Sequence, residues 1–213
     1  MQTLHLMGLG PGWSMAPECG PGVKVWGINN ALNFRDVDYV MEIHNWRHKM
    51  YRLKGGCVHQ RAVNRAIEKG IPYIVRERWD FVPGLKQVVY PWKSVFKMFN
   101  TDLLGCSMDC MIALGLYLGY KRLRVYGLGI NHASHYDYQI PSMNYWFGVC
   151  DGAKVDLQVV NVDGYRHTDV MRTHNGLIYG LGEPQTVVSH GLDPSLPACD
   201  CTKVHDAPHC SNF

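Results

Sequence analysis

The densest group of proton-handling side chains in this 213-residue chain is the run Gly127-Leu128-Gly129-Ile130-Asn131-His132-Ala133-Ser134-His135-Tyr136-Asp137-Tyr138-Gln139. A neutral imidazole can take a proton from a hydroxyl near pH 7, a carboxylate can orient the ring, and phenols can hold phosphate or sugar oxygens. The run therefore reads either as catalytic, with His135 as general base and Tyr136 and Asp137 beside it, or as a surface loop whose His and Asp satisfy turns. A second polar group, His44-Asn45-Trp46-Arg47-His48, offers Arg47 for bidentate pairing with phosphate, or else starts a helix with Trp46 turned inward.

Near the start of the chain Gly8, Gly10 and Gly12 alternate ahead of Ser14. Without Cβ atoms such a turn can bend sharply and bring backbone N–H groups close to an anion, so phosphate binding is expected there, with a plain tight turn as the alternative. Ser14 either caps the helix expected next or gives its hydroxyl to the ligand. At the other end Cys199, Cys201, His205, His209 and Cys210 fall within twelve residues. Four such ligands suffice for a tetrahedral structural Zn²⁺, which would supply folding energy to a segment poor in apolar residues; the alternative is an unclamped tail. Cys106 and Cys110, four apart on an expected helix, read as small buried hydrophobes.

These groups need elements to hold them. Short strands are expected at residues 3–8, 23–28, 39–43, 72–75, 122–127 and 156–160, and amphipathic or buried helices at 59–69, 106–118 and 142–153. Strands alternating with helices predict an α/β, Rossmann-like three-layer fold with a mostly parallel sheet of about five or six strands. Residues 1–160 would form this nucleotide-binding unit, and 161–213 an irregular C-terminal extension, where Gly, Pro, His and Asp break the periodicity.

Composition narrows the classes. Hydrophobic residues make up 46% and charged residues 18%, which suits a folded α/β chain and not a disordered one. The formal net charge is +3, and the basic residues are scattered, so the case for a nucleic-acid groove is weak while a small anionic ligand needs far less. No apolar run reaches the ~20 residues needed to span a bilayer, and residues 1–10 lack the pattern of a signal peptide. The expected compartment is the cytoplasm, with the eight cysteines as thiols or metal ligands.

Three segments occur in a recognisable order: residues 8–14 (GLGPGWS), residues 25–30 (VWGINN) and residues 113–127 (ALGLYLGYKRLRVYG). Together they resemble the bacterial sialyltransferase-like Rossmann family, in which a strand ends in a G-x-G-P-S turn, a second strand ends in Asn, and a helix ending in A-L-G-Y-K leads to a strand closing in G-x-D. The pattern is also similar to that of pterin pyrophosphokinase-like and motility-accessory proteins and of proteins carried by bacteriophages, and it spans residues 3–160. The resemblance implies a nucleotide or nucleotide-sugar ligand, with Gly8, Gly10, Gly12 and Ser14 along its phosphates and Asn29 or Asn30 at its sugar or base. The alternative for the Asn pair is a turn with left-handed backbone. Leu9 stands where the sialyltransferases carry a ligand-contacting Asn, Gly12 interrupts their Pro-Ser pair, and Asn131 replaces a common Asp.

Three functions follow as expectations. One is glycosyl transfer from a nucleotide sugar, with His135 deprotonating the acceptor. Another is pyrophosphoryl transfer to a hydroxymethyl group, which requires Mg²⁺ held by carboxylates such as Asp38 or Asp137. The last is a nucleotide-binding module without turnover.

Overall fold

A computed structural model of the chain describes residues 2–44, 58–128 and 139–160. Short apolar runs form seven strands: β1 (Leu4–Met7), β2 (Lys24–Ile28), β3 (Tyr39–Glu42), β4 (Tyr73–Val75), β5 (Gln87–Val89), β6 (Arg122–Tyr126) and β7 (Asp156–Val160). Four helices accompany them: α1 (Val58–Lys69), α2 (Trp92–Phe99), α3 (Ser107–Tyr117) and α4 (Ile140–Gly152). All strand pairs are parallel, and the order across the sheet is β5-β4-β3-β2-β1-β6-β7. The chain thus moves outward from β1 to β5, then α2 and α3 carry it back over the sheet to the other side of β1. The order reverses between β1 and β6, and in open α/β sheets ligands bind outside the strands' carboxyl ends at such a reversal.

Alternation along each strand divides the core in two. Leu4, Leu6, Trp26, Met41, Ile74 and Val125 face α2, α3 and α4. Met7, Val25, Val40, Tyr73, Val75 and Tyr126 face α1 and the short 3₁₀ turn Ala31–Asn33. Helix α3 is buried all round from Ser107 to Leu116, as a helix between a sheet and two other helices must be. Its Gly115 packs on Leu4 and Leu123, the amino-terminal parts of β1 and β6, so α3 begins at the carboxyl rim.

The α/β expectation holds, with a seven-stranded sheet in place of five or six strands. The addition is β5 with α2. Strand β5 is three residues long and mostly exposed at the sheet edge, so it carries no apolar periodicity. The Gln87 side-chain amide fixes it instead, accepting from the Trp79 amide at 2.7 Å and donating to the Trp79 carbonyl at 3.0 Å. The second difference follows β1, where a 3₁₀ turn, Trp13–Met15, replaces the helix expected there. Ala16 takes ψ 139° because it precedes Pro17, whose ring excludes helical backbone at that position. Ser14 therefore caps nothing.

Asp109 opens α3 as a fully buried carboxyl. Its Oδ2 accepts from the Gly105 amide at 2.9 Å, while Oδ1 has no hydrogen-bond partner. Burial pushes its pKa up to about 6, against the neighbouring polar groups of Ser142, Gly105 and Cys106, which pull the other way. The folded chain thus holds a proton that the unfolded chain, with Asp near ~3.9, releases earlier. The contribution of this group falls as pH rises from about 4 to about 6 and is constant above. Asp36 and Asp156, held below the ordinary range by Lys69 and Arg124, act in the opposite sense and only below about 4.

Two measurements check the fold. A Cβ on Gly8 would lie 2.3 Å from the Gly127 carbonyl oxygen, a backbone atom that cannot swing aside. Gly8→Ala should therefore lose about 1–3 kcal/mol in chemical denaturation. Gly148→Ala, on an open face of α4, should gain about 0.5–1 kcal/mol. In the second experiment, the stability of Asp109→Asn relative to wild type should rise between pH 4 and pH 6 and level off above. A difference independent of pH would show that Asp109 is not the buried titrating group.

Candidate functional site

At the reversal the carboxyl ends of β1 and β6 meet through glycine backbone. The Gly8 amide donates to the Tyr126 carbonyl and the Gly10 amide to the Gly127 carbonyl, both at 2.8 Å. Gly127 adopts φ +60°, and a Cβ there would come within 2.8 Å of the Gly10 carbonyl oxygen. These glycines allow two chain segments to lie against each other, and the Gly8 and Gly10 amides, expected to face phosphate, are already donated. Gly12, at φ +87°, turns the chain into the 3₁₀ segment. Among the described residues, the Leu9 and Gly12 amides have no backbone acceptor.

The turn is flanked by a cation that the sequence reading overlooked. Arg35 donates to the Ser14 carbonyl at 3.1 Å and lies 5.8 Å from the Trp13 ring centroid. Trp13 in turn packs on Phe34, which tethers the segment after β2 to the segment after β1.

Asn29 ends β2 in left-handed backbone, φ 49°, so the turn role weighed for it is observed. Its backbone is pinned on two sides: the amide donates to the Met41 carbonyl at 2.9 Å, and the Tyr73 hydroxyl donates to its carbonyl at 3.4 Å. The side-chain Oδ1 is buried and has no hydrogen-bond partner. A buried amide oxygen without a donor costs about 1–3 kcal/mol, which a donor placed beside it would recover. Asn30, beside it, starts the 3₁₀ turn without a side-chain cap.

Next along the rim, β3 ends in Glu42, which is 1% exposed. The strand's alternation turns Glu42 to the same face as Val40, towards α1. Its Oε1 contacts His44 Nδ1 and accepts from the His44 amide at 3.2 Å, and its Oε2 lies 3.9 Å from His59 Nδ1 at the start of α1. Burial alone would raise the Glu42 pKa, but the His44 and His59 imidazoles and the His44 hydrogen bonds hold it below the ordinary range. Burial and the Glu42 charge together raise the phenol of Tyr73. The sequence reading singled out the run containing His44 and missed Glu42 and His59. The available signal was a carboxylate inside an apolar strand, two residues before a histidine.

Asp38, considered for Mg²⁺, sits at the opposite end of the sheet. It precedes β3 and accepts from Lys24 Nζ at 3.0 Å and from the Val25 amide at 2.8 Å, so it ties down the amino ends of β2 and β3 and cannot face phosphates at the carboxyl rim. Arg47, Asn131, His135, Tyr136, Asp137 and the Zn²⁺ candidates Cys199, Cys201, His205, His209 and Cys210 lie outside the described residues. Among the described residues no cluster of three or more His, Cys, Asp or Glu is arranged to hold a metal ion. No described helix is long and apolar enough to cross a membrane. Burial raises the thiols of Cys19, Cys106, Cys110 and Cys150, which makes all four poor thiolate nucleophiles.

No protein-family model and no curated protein matches the chain. Among solved structures, it is similar to two sialyltransferases of Campylobacter jejuni. Cst-I matches at 14% identity and TM-score 0.47 over 96% of this chain and 93% of that one. CstII, described in complex with the substrate analogue CMP-3FNeuAc, matches at 14% identity and TM-score 0.46 over 75% of this chain and 80% of that one. So loose a superposition transfers no residue roles.

Proposed function

We propose that the chain is a nucleotide-dependent transferase that moves a glycosyl group from a nucleotide sugar, with the nucleotide seated at the carboxyl rim over β1 and β2. The buried, unpartnered Oδ1 of Asn29 carries this reading, because a ribose hydroxyl or an exocyclic amine of a base is the donor it lacks. Under this reading the Leu9 and Gly12 amides and the Arg35 guanidinium lie on the phosphate side. Under this reading Gly8 and Gly10 shape the turn and do not donate to phosphate. Asn30, Ser14, Arg47 and Asn131 remain candidates for further ligand contacts. A transferase also needs a group to take the acceptor's proton. His135, with Tyr136 and Asp137, remains the candidate read from the sequence, and His44 follows β3 on this rim.

Pyrophosphoryl transfer loses one of its two named Mg²⁺ carboxylates with Asp38 at the far rim. Retention of a nucleotide without turnover differs from transfer only in its outcome.

A thermal-shift panel of nucleotides and nucleotide sugars tests the proposal. CMP and CMP-sugars head the panel as ligands of the kind described for the similar solved structures. A ligand at 100 times its Kd should stabilise by about 2.7 kcal/mol, a shift of roughly 5–11 °C for a chain of this size. Asn29→Gly keeps the left-handed backbone and removes the side chain with its unpaired oxygen, so it should weaken binding about tenfold without lowering the unliganded Tm. Absence of any stabilisation would refute the nucleotide site, and stabilisation without consumption would replace the transferase with a binding module.

A further inference from the structure

Asp109 is fully buried, and its Oδ1 has no hydrogen-bond partner. Ser142, in the first turn of α4, comes up against it: a Cβ on Gly105 would lie 2.3 Å from Ser142 Oγ and 3.5 Å from Asp109 Oδ2, the oxygen that the Gly105 amide holds. We infer that Asp109, Ser142 and the Gln139 carbonyl form a proton-dependent latch between the starts of α3 and α4, in which the Ser142 hydroxyl serves Gln139 while the carboxyl is protonated and turns to Asp109 when it ionises. The latch goes beyond the transferase reading and does not depend on what the rim binds.

A single hydrogen sets the two states. Ser142 Oγ donates to the Gln139 carbonyl at 3.0 Å, and a hydroxyl has no second hydrogen to give. Towards Asp109 it can therefore only accept, and the pair is satisfied when the carboxyl supplies a hydrogen of its own. The bonds then run one way, from Asp109 to Ser142 to Gln139. When the acid ionises, its O–H bond breaks, the electron pair stays on the carboxyl oxygen and the proton passes to water. Two acceptors, a carboxylate and a carbonyl, then compete for the one Ser142 hydrogen. Hydrogen bonds to charged groups are the stronger ones, so the hydroxyl turns to Asp109 and Gln139 gives up its Ser142 donor.

The latch spans two elements that start at the same rim. Helix α4 joins the parallel strands β6 and β7, so it begins at their carboxyl ends, as α3 does. Cys106 Sγ, 3.7 Å from Met143 Sδ, makes a second contact between the two first turns and contains no carboxyl. Among the described residues, the titratable groups that face Asp109 are the Cys106 and Cys110 thiols of its own helix and the Tyr90 phenol, just ahead of α2. Burial raises all three, so they stay neutral while Asp109 titrates. The same burial moves the ionisation of Asp109 up to about 6, where the folded chain can hold either form.

Carbon-13 NMR of the full chain tests the latch. In wild type the Asp109 carboxyl and the Gln139 backbone carbonyl should titrate together with one midpoint, at about 6. Asp109→Asn cannot ionise, and its amide nitrogen can donate to Ser142 as the protonated acid does. There the Gln139 signal should keep its low-pH position at every pH. In Ser142→Ala the carboxyl should still titrate, while the Gln139 signal loses its response. A Gln139 carbonyl that stays constant through the wild-type Asp109 titration, that moves as far in Ser142→Ala as in wild type, or that still titrates in Asp109→Asn overturns the latch. So does an Asp109 carboxyl already ionised at the lowest pH at which the chain is folded. The wild-type readings decide the matter even where a variant does not fold.

Discussion

The contact between β1 and β6 sets the position of everything at the rim. Strand β1 starts the chain's outward march to β5, and the returning chain adds β6 on its other edge, so β1 has parallel neighbours on both sides. For the last residues of β1 and β6 to pair, the Gly8 backbone must approach the Gly127 carbonyl more closely than any Cβ permits. The Tyr126 and Gly127 carbonyls accept the two hydrogen bonds that close this junction, from the Gly8 and Gly10 amides. The segment leaving β1 is thereby folded over the end of β6. Trp13 and Ser14 follow from that placement, and Arg35 is brought in through its contacts with both.

Register carries the constraint outward across the sheet. Asn29 can present its side chain at the rim only because its amide is held by Met41 and its carbonyl by Tyr73. A slip of β3 by one residue would turn Glu42 towards α3 and Met41 towards α1, separating the carboxylate from His59. The apolar layers oppose such a slip: Val40 belongs with α1, and Met41 with the layer under α3. The core thus sets which face of the sheet carries the rim's charge.

Hydrophobic periodicity made the central elements legible. β2, β6, β7, α1 and α3 lie where the spacing of Val, Leu, Ile and Ala places them, because burial on one or both faces leaves a periodic trace. β5 leaves none, since Val88 and Val89 stand nearly half exposed at an edge and a glutamine side chain fixes their position. The glycine turn shows a subtler difference. Alternating glycines specify that the backbone comes close to something, but residue types alone do not say whether that is a phosphate or the end of a neighbouring strand. Here it is the strand. Glu42 escaped notice for the opposite reason. Its partners are two residues away and seventeen residues away, and only the pairing of β3 with α1 brings His59 to it.

Two buried carboxyl groups occupy the same rim on opposite faces of the sheet, and their surroundings explain why they behave differently. Glu42 is faced by imidazoles that can carry positive charge, and it is held ionised. Asp109 is offered an amide, a hydroxyl and a thiol, none of which carries positive charge, and burial wins. Neutral donors soften the desolvation of a carboxylate, whereas a nearby cation can reverse its effect. Asp109, bonded to Gly105 and next to Ser142, is accordingly a tie between the start of α3 and the start of α4. Glu42 has surroundings that keep its charge, and it ties the end of β3 to the start of α1.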